Sequence, residues 1–573
     1  MRDIYESARK HNMVKISMDG KQFEVEEKRT IIEAARENGI EIPHFCWHPS
    51  LTVAGNCRMC LVEVERLPKL VIACATQVSD GMVVHANNPR VINAREAVME
   101  FLLINHPLDC PICDEAGECK LQDYAYMHSV GYSRFEEDKV HKPKRVELGP
   151  HVMLDTERCI MCSRCIRFCD EIAKKPQLTF TMRGDHVELT TFPGEKLDNP
   201  YSMNVIDICP VGALTSRDFR FKARVWEMSS TETICPGCAR GCNMHSWVRN
   251  NEILRQTPRF NPEVNTYWMC DHGRLNTFKH VNTERRIKAP LTKKENEVLE
   301  VGWDEAIARV ASEFKTFRKS EIAAIGSAFA TNEDNYLLQK FAREVLGTKH
   351  IDFMPHVVEE DQDDLLIRAD RTPNSMGAKT VGVTPHGGGL TLSGIVKAIK
   401  GGEIKAMYVL DDNIAADPVI GEALSKLQFL VVNFSFENET TRLADVVLPS
   451  STYAEVNGTF TNFEGRVQRI RPSVATLEQD RSLDGFAMSR LDKFGSSFDR
   501  WAKGQKRDCR PNWRIVSGIA NLMGMKYRYN TAEDVFNEIV STIPEFRGMS
   551  YRKIGNRGMV LNLKKEAGAA VHA

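Results

Sequence analysis

Residues 159–169 read CIMCSRCIRFC, in which four cysteines recur with the spacing C-x2-C-x2-C-x3-C. A run of this kind presents several thiolates to one metal centre and is typical of [4Fe–4S] sites. The usual run continues with proline, whereas Asp170 follows Cys169 here, and a separate Cys209-Pro210 pair lies downstream. We therefore predict one [4Fe–4S] ligand set and interpret Cys169 as a spare, buried small side chain. The predicted ligands are Cys159, Cys162, Cys165 and Cys209.

The remaining cysteines are distributed unevenly over the 573 residues. Of 17 cysteines, 16 lie between Cys46 and Cys270, and only Cys509 lies beyond them. Tight C-x-x-C groups in a long chain without a recognisable export signal favour metal thiolates in a reducing compartment over disulfides. Zinc and iron–sulfur clusters are the competing interpretations, and the spacings must distinguish them.

Composition excludes several classes of function. Lys plus Arg number 76 and Asp plus Glu 77, so we expect no overall positive charge that would attract nucleic acid. No apolar run reaches the roughly 18 residues of a membrane-spanning helix. We therefore expect no direct membrane insertion.

The first cysteine group follows a pattern that predicts a β-grasp domain. Residues 13–25 alternate into two strands around Asp19-Gly20, and residues 29–40 have helical spacing that ends at Gly39. The cysteines then follow as C-x10-C-x2-C-x13-C, with a first gap longer than the four residues of the plant-type ferredoxin loop. A zinc site needs one compact tetrahedron and does not predict this long loop. The predicted [2Fe–2S] ligands are Cys46, Cys57, Cys60 and Cys74.

The second group has a histidine where a fourth cysteine is expected. Its spacing is His106-x3-Cys110-x2-Cys113-x5-Cys119, just beyond a stretch with helical periodicity from residue 89. Three interpretations of His106 remain open at this point. It is a cluster ligand, or a helix-end histidine that interacts with the helix dipole, or part of a Cys3His zinc site.

The fourth group has the spacing C-x2-C-x3-C-x27-C, and residues 243–258 between its last two cysteines predict a strand pair. A zinc ribbon is the rival interpretation, but three thiolates on one short loop suit one corner of a [4Fe–4S] cluster. The predicted ligands are Cys235, Cys238, Cys242 and Cys270.

The order and spacing of the four groups resemble the large iron–sulfur subunit of respiratory complex I (NADH:quinone oxidoreductase), over residues 13 to about 280. Related subunits of multimeric hydrogenases and formate dehydrogenases share the arrangement. The resemblance implies that His106 joins Cys110, Cys113 and Cys119 around a [4Fe–4S] cluster. It also implies that the fourth group, present in only some members, binds a further [4Fe–4S] cluster off the main electron path. One [2Fe–2S] and three [4Fe–4S] clusters are thus expected.

The C-terminal half resembles a molybdopterin-oxidoreductase-like domain. Residues 437–472 resemble the stretch that closes this domain in the family, and residues 322–348 and 404–418 predict strand–loop–helix pieces of an α/β domain. The long members of the family extend further, so we expect a short form with a truncated domain.

This half is expected to be catalytically inactive. A molybdenum or tungsten site usually needs a Cys, selenocysteine or Ser ligand, and Cys509 lies far from the expected position. Arg274 stands where catalytic members tend to place Lys, and the glycine run at 386–390 predicts a loop. We expect no molybdopterin and no catalytic residues, although a serine-ligated metal stays open.

The predicted fold class is multidomain, α+β and α/β. The expected domains are a β-grasp [2Fe–2S] domain (13–90), a His-Cys [4Fe–4S] domain (91–145), a ferredoxin-like [4Fe–4S] domain (146–222), a further [4Fe–4S] domain (223–285) and the truncated molybdopterin-oxidoreductase-like domain (286–560).

The resemblance implies an electron-transfer subunit of an NADH dehydrogenase complex. Its expected partners are a flavin- and NADH-binding subunit and a further iron–sulfur subunit, with no nucleic acid. The expected location is cytoplasmic, peripheral on the cytoplasmic face of the inner membrane through the complex. The alternatives are the equivalent subunit of a soluble NAD-linked hydrogenase or formate dehydrogenase complex, a molybdopterin oxidoreductase with its own active site, and a zinc-stabilised scaffold.

Overall fold

The computed structural model describes residues 12–184, 186–295, 297–478 and 506–563. The chain divides into two compact units, Met1–Trp226 and Glu227–Ala573, and each is described by itself. Within the described residues, none of the helices combines the length and apolar character needed to cross a membrane.

Unit 1 begins with the predicted hairpin. Strands β1 (Met13–Met18) and β2 (Lys21–Glu26) pair antiparallel around Asp19 and Gly20. Both turn residues have positive φ, 47° and 81°, as a two-residue type I′ turn requires. Helix α1 (Ile31–Glu37) follows. It starts at a Thr30–Glu33 capping box, which satisfies two of the free amide groups at the helix start.

The hairpin belongs to a five-stranded sheet with the order β2-β1-β5-β3-β4. Its other strands are β3 (Leu61–Val64), β4 (Val71–Ile72) and β5 (Val83–His85). The buried face of α1 packs with the inward residues of these strands into one apolar core. This arrangement of a mixed sheet and one helix confirms the predicted β-grasp domain.

The rest of unit 1 consists of short elements joined by long loops. They are α2 (Pro89–Leu103), α3 (Lys120–His128), β6 (Val146–Glu147), β7 (Val152–Leu154), α4 (Arg164–Arg167), β8 (Leu178–Thr181), β9 (Glu188–Thr191), α5 (Asn204–Asp207) and β10 (Leu214–Ser216). The strands form the small sheets β10-β7-β6 and β8-β9. Helix α4 continues as a π-helical turn, Phe168–Ile172, in which Cys169 is fully buried as predicted.

Unit 2 opens with a three-stranded antiparallel sheet, β11-β12-β13. Its strands are β11 (Ser229–Ile234), β12 (Asn243–Arg249) and β13 (Glu252–Pro258), followed by the short helices α6 (Asp271–Leu275) and α7 (Lys279–Asn282). Strands β12 and β13 are the strand pair predicted for residues 243–258.

A seven-stranded sheet with the order β15-β14-β20-β19-β18-β16-β17 forms the centre of unit 2. The strands are β14 (Leu291–Lys294), β15 (Glu297–Glu300), β16 (Ile322–Gly326), β17 (Ile351–Phe353), β18 (Ala406–Leu410), β19 (Phe429–Phe434) and β20 (Val446–Pro449). Strands β16 to β20 run parallel, and apolar clusters cover both faces, which explains their nearly continuous apolar sequences.

Helices surround this sheet, and a small antiparallel sheet, β21-β22-β23, completes the unit. The helices are α8 (Trp303–Phe314), α9 (Asn332–Lys340), α10 (Ser375–Thr380), α11 (Leu392–Lys400), α12 (Pro418–Leu424), α13 (Glu439–Leu443), α14 (Asn512–Leu522), α15 (Ala532–Thr542) and α16 (Tyr551–Ile554). The small strands are β21 (Gly458–Thr461), β22 (Arg466–Ile470) and β23 (Met559–Val560). The strand–loop–helix segments predicted near residues 322 and 404 are confirmed, and residues 386–390 lie in the loop before α11.

Candidate metal centres

The first cysteine group converges at one end of the β-grasp sheet. Cys46 and Cys57 lie on the loop between α1 and β3, Cys60 directly precedes β3, and Cys74 follows β4. The Cys46 side chain interacts with those of Cys57 and Cys74, and the Cys60 side chain interacts with that of Cys74. Three of the four side chains are buried and Cys57 is half-buried. The structure therefore brings all four predicted residues together.

The third group lines a single cavity. Cys159, Cys162, Cys165 and Cys209 all border one small cavity, walled otherwise mainly by apolar side chains such as Phe180 and Leu189. Burial raises the pKa of Cys159 to about 12 and those of Cys165 and Cys209 well above the usual range. Thiols so desolvated ionise only beside a compensating cation, so this donor set fits a metal cluster and not free thiolates.

The second group lies between α2 and α3. Cys110 starts a short 3₁₀ turn, Cys113 ends it, and Cys119 immediately precedes α3. Cys113 and Cys119 are buried and Cys110 is exposed. Burial raises the pKa of Cys119 to about 12, with further electrostatic contributions from Glu115 and then Cys113. His106 and Cys113 share one electrostatic neighbour, Arg158.

The environment of His106 does not match that of a helix-end histidine. The last carbonyls of the α2 region, those of Leu103 and Ile104, accept hydrogen bonds from Lys139 Nζ at 2.9 and 2.7 Å. A histidine stabilised by the helix dipole would have a raised pKa. Instead, burial, with Arg158 and Lys139 nearby, lowers the pKa of His106 to about 4. The imidazole is therefore neutral near pH 7, which is the form that binds metals.

Residues 209–212 connect the second and third groups. The Pro210 carbonyl accepts a hydrogen bond from the Lys120 amide at 3.1 Å, and the Cys119 Sγ lies 3.9 Å from the same carbonyl oxygen. A β-carbon at Gly212 would collide with the Cys113 sulfur. One segment thus contains a predicted ligand of the third group and packs against two cysteines of the second.

Two arginines and one asparagine connect the first and third groups. Arg167 Nη2 donates to the carbonyls of Cys46 at 2.5 Å and Cys162 at 3.4 Å. Arg164 donates to the carbonyls of Trp47 at 2.6 Å and Ile208 at 3.1 Å. Asn56 Nδ2 donates to the Met161 carbonyl at 3.1 Å. The backbone around one cysteine group is therefore hydrogen-bonded directly to the backbone around the other.

The first and second groups also touch through aromatic side chains. The rings of Phe45 and Tyr124 meet edge to face with centroids 5.2 Å apart, next to Cys46 and on the helix that follows Cys119. All three groups of unit 1 therefore form one contiguous region.

The fourth group lies in unit 2 at the end of the β11-β12 pair. Cys235 follows β11 and Cys242 precedes β12, and the Cys235 amide donates to the Cys242 carbonyl at 2.8 Å. Two glycine amides point at sulfur: Gly237 N–H to Cys235 at 3.4 Å and Gly273 N–H to Cys270 at 3.3 Å. All four cysteines are buried, and the pKa of Cys242 is raised well above its usual value by burial and by the charges of the other three. The predicted set is again brought together.

Cys509 and Arg274, whose positions argue against a catalytic metal site in unit 2, are both buried and in contact with neighbouring groups. Cys509 is fully buried, with its sulfur 3.7 Å from Arg286 Nη2 and 3.4 Å from Ser451 Oγ. Arg286 forms a fully buried ion pair with Glu455 at 2.8 Å. Arg274 is buried and donates to the Gln256 carbonyl at 3.3 Å.

Comparison with known proteins gives five family matches in the order of the cysteine groups. Residues 11–89 match a 2Fe-2S iron-sulfur cluster binding domain, and residues 95–134 match the NADH-ubiquinone oxidoreductase-G iron-sulfur binding region. Residues 149–215 match the ferredoxin-like domain of NADH-quinone oxidoreductase subunit 3. Residues 228–282 and 369–482 match the Fe4S4 domain and a further domain of molybdopterin oxidoreductases. The chain resembles the large iron–sulfur subunit of NADH-quinone oxidoreductase, known as the G subunit.

Relatives support this resemblance. The G subunit of NADH-quinone oxidoreductase from Rickettsia felis is 43% identical over 334 residues, which cover 58% of this chain and 49% of the relative. The mitochondrial 78 kDa subunit of NADH-ubiquinone oxidoreductase from Neurospora crassa is 40% identical, over 59% of this chain and 45% of the relative. The G subunit from Streptomyces coelicolor is 37% identical, over 68% and 46%. The chain spans about half the length of these relatives.

A solved structure, the NAD+-reducing [NiFe]-hydrogenase in its H2-reduced state, also matches. It is 30% identical and covers 37% of this chain and 91% of its own, with a TM-score of 0.34.

Sequence reasoning missed the residues that join the cysteine groups. Arg164, Arg167 and Gly212 stand next to or near predicted ligands, but nothing in their spacing indicates which distant loop they contact. The only available signal was their position inside or just after cysteine motifs.

Proposed function

We propose that this chain is an iron–sulfur electron-transfer subunit of an NADH-quinone oxidoreductase complex. It would receive electrons from a flavin- and NADH-binding partner and pass them to a further iron–sulfur partner. The chain would sit peripherally at the cytoplasmic face of the membrane through that complex. When bound, the clusters would supply one-electron redox chemistry at each site.

The observation that supports this proposal most strongly is the cavity bordered by all four cysteines of the third group. Its apolar wall and desolvated thiols fit a buried cluster, and its neighbours on both sides are the other two groups of unit 1. Arg167 joins the third group to the first, and Pro210 joins it to the second, so the three groups are neighbours.

The residues proposed to hold the clusters are those of the four cysteine groups. Cys46, Cys57, Cys60 and Cys74 would hold a [2Fe–2S] cluster. His106 with Cys110, Cys113 and Cys119, then Cys159, Cys162, Cys165 and Cys209, and finally Cys235, Cys238, Cys242 and Cys270 would each hold a [4Fe–4S] cluster. A neutral His106 in a buried position supports its place in the second set.

The protein's own residues would set the reduction potentials of these clusters and limit their contact with water. The Gly237 and Gly273 amides are placed to donate to sulfur, which stabilises a reduced, more negative cluster. Most of these cysteines are buried, which limits the access of water to the sites, whereas Cys110 is exposed. The fourth set would mainly stabilise the start of unit 2, because four thiolates on one metal centre hold a small domain together.

A molybdopterin oxidoreductase is the second candidate, favoured by the family matches at 228–282 and 369–482. Against it, Cys509 is enclosed beside a buried ion pair. We propose that unit 2 carries no molybdenum or tungsten chemistry.

Metal analysis and EPR spectroscopy of the anaerobically purified complex test the proposal. We expect iron and acid-labile sulfide without stoichiometric molybdenum or tungsten, and signals after dithionite reduction that include those of one [2Fe–2S] and three [4Fe–4S] centres beside those of the partner subunits. Zinc in place of iron would contradict the relay, and molybdenum at one per chain would favour the second candidate. The partner subunits that copurify would distinguish NADH-quinone oxidoreductase from a hydrogenase or formate dehydrogenase assembly.

A further inference from the structure

Arg164 is a buried charge whose hydrogen bonds, in the part of the chain that the structure describes, go to backbone carbonyls. The residue is only 5% exposed, between the second and third cysteines of the third group. Its hydrogen bonds go to two backbone carbonyls, those of Trp47 and Ile208. Among the described residues, no carboxylate lies within ion-pairing distance of it, and its Nε has no hydrogen-bond partner. Burying a guanidinium in this way is costly unless negative charge lies nearby.

The groups near Arg164 that would supply negative charge, as thiolates of a bound cluster, are cysteines. Its strongest favourable electrostatic partners are Cys162 and Cys209 of the third set, followed by Cys46 and Cys57 of the first set. The carbonyls it binds lie next to ligands of the same two sets, since Trp47 follows Cys46 and Ile208 precedes Cys209. Carbonyl dipoles alone compensate a full charge only in part, so thiolates complete the compensation.

The other charged groups around this region do not provide a substitute anion. Arg36, Lys120 and Arg167 are further cations that act on the same cluster of side chains, and the buried His44 and His48 are neutral near pH 7. Glu41 and Asp123 are the acidic groups that act on Lys120, fewer than the four cations, and the Glu41 carboxylate lies 3.3 Å from the Tyr124 hydroxyl. The region between the first and third sets therefore has an excess of positive charge.

We infer that Arg164 is the shared counter-charge of the first and third metal sets, a positioning residue that sets both reduction potentials. The inference rests on the proposed function, because it requires clusters at both sets. Each reduction adds one negative charge to a cluster, and a cation buried beside it stabilises that reduced state. Screening by solvent is weak at a buried site, so one guanidinium acts on both centres.

Arg164→Gln tests the inference by EPR-monitored redox titration of the intact complex. Glutamine retains hydrogen-bond donors but removes the charge, so we expect the midpoint potentials of the first-set and third-set clusters both to become more negative. The second-set potential should move less. Arg58→Gln is the matched control: Arg58 also adjoins a ligand, Cys57, but it is exposed, so both potentials should stay at their wild-type values.

Arg164→Lys keeps the test decisive if the glutamine variant loses a cluster. Lysine retains the charge but not the paired hydrogen bonds, so both signals should persist with potentials near the wild-type values. Unchanged potentials in Arg164→Gln, or an equal fall in Arg164→Lys, would overturn the inference. If the wild-type complex showed no cluster signals at all, the proposed function itself would fail, which is a distinguishable result.

Discussion

His106 differs from every other proposed ligand because it is a nitrogen donor. Its spacing to Cys110 left a helix-end role open, and the structure weighs against that role because Lys139 caps the helix and burial lowers the imidazole pKa. A neutral imidazole in place of a thiolate removes one negative charge from a cluster. The reduced state is then less disfavoured, so the potential is higher.

His106→Cys should therefore retain a cluster and lower its midpoint potential. Rieske centres, where two imidazoles replace two thiolates, set the scale at on the order of 100 mV for one replacement. Redox titration by EPR measures the shift. His128→Cys, at the end of α3, is the control and should move no potential. A titration of His106→Cys identical to the wild type would exclude His106 as a ligand.

The buried pair of Arg286 and Glu455 gives a prediction that is independent of metal. Both side chains are fully buried and 2.8 Å apart. Glu455→Gln leaves the guanidinium without its counter-charge, so the free energy of unfolding of unit 2 should fall by about 3–5 kcal/mol. Urea unfolding followed by tryptophan fluorescence measures this. Glu437→Gln, which breaks an exposed pair with Arg442, should change stability little.

The same pair predicts a pH dependence. Arg286 lowers the pKa of Glu455 in the folded state, against the opposing effect of burial. The stabilisation is therefore complete above the ordinary glutamate pKa of about 4.3 and is lost as the pH falls through the depressed folded value. Stability measured from pH 7 to pH 3 should fall less steeply in Glu455→Gln than in the wild type. Parallel curves would contradict this assignment.

At the scale of elements, the short segment 209–212 contacts both the second and the third cysteine sets. It provides Cys209 to the third set, while Pro210 and Gly212 pack against cysteines of the second. Gly212 is needed for space, because any β-carbon there would meet the Cys113 sulfur.

Gly212→Ala should therefore disturb the second set more than the third. We expect the EPR signal of the second-set cluster to be lost or altered while that of the third-set cluster persists. Gly302→Ala is the control, because a β-carbon there meets no atom within 4 Å. An unaltered second-set signal would show that the segment relaxes without moving Cys113.

Local elements were predictable because their causes are local. The Asp19-Gly20 turn, the strand pair at 243–258 and the α/β segments near 322 and 404 follow from turn chemistry and periodicity. The ligand candidates were also visible, because cysteine spacing can be read directly from the sequence. The contacts of Arg164 and Gly212 were not predictable, since they join loops that are far apart in the chain, such as those at residues 47 and 208.

At the scale of the whole molecule, the two units contain different cysteine groups. Unit 1 holds three cysteine groups in one contiguous region, and unit 2 holds the fourth group at its start, before a large α/β sheet. The family matches follow the same order along the chain. This arrangement fits the electron relay proposed above, in which electrons would enter from one partner subunit and leave to another.

NADH-dependent quinone reduction by the complex that carries Cys162→Ala tests the relay most directly. Cys169→Ala, a substitution in the same cysteine motif, is the control. Cys162 borders the central cavity, whereas Cys169 is buried in the neighbouring π-helical turn. We predict that Cys162→Ala loses the third-set EPR signal and that NADH-dependent quinone reduction falls to background, while Cys169→Ala retains both. Full quinone reduction in Cys162→Ala without the third-set signal would contradict the relay.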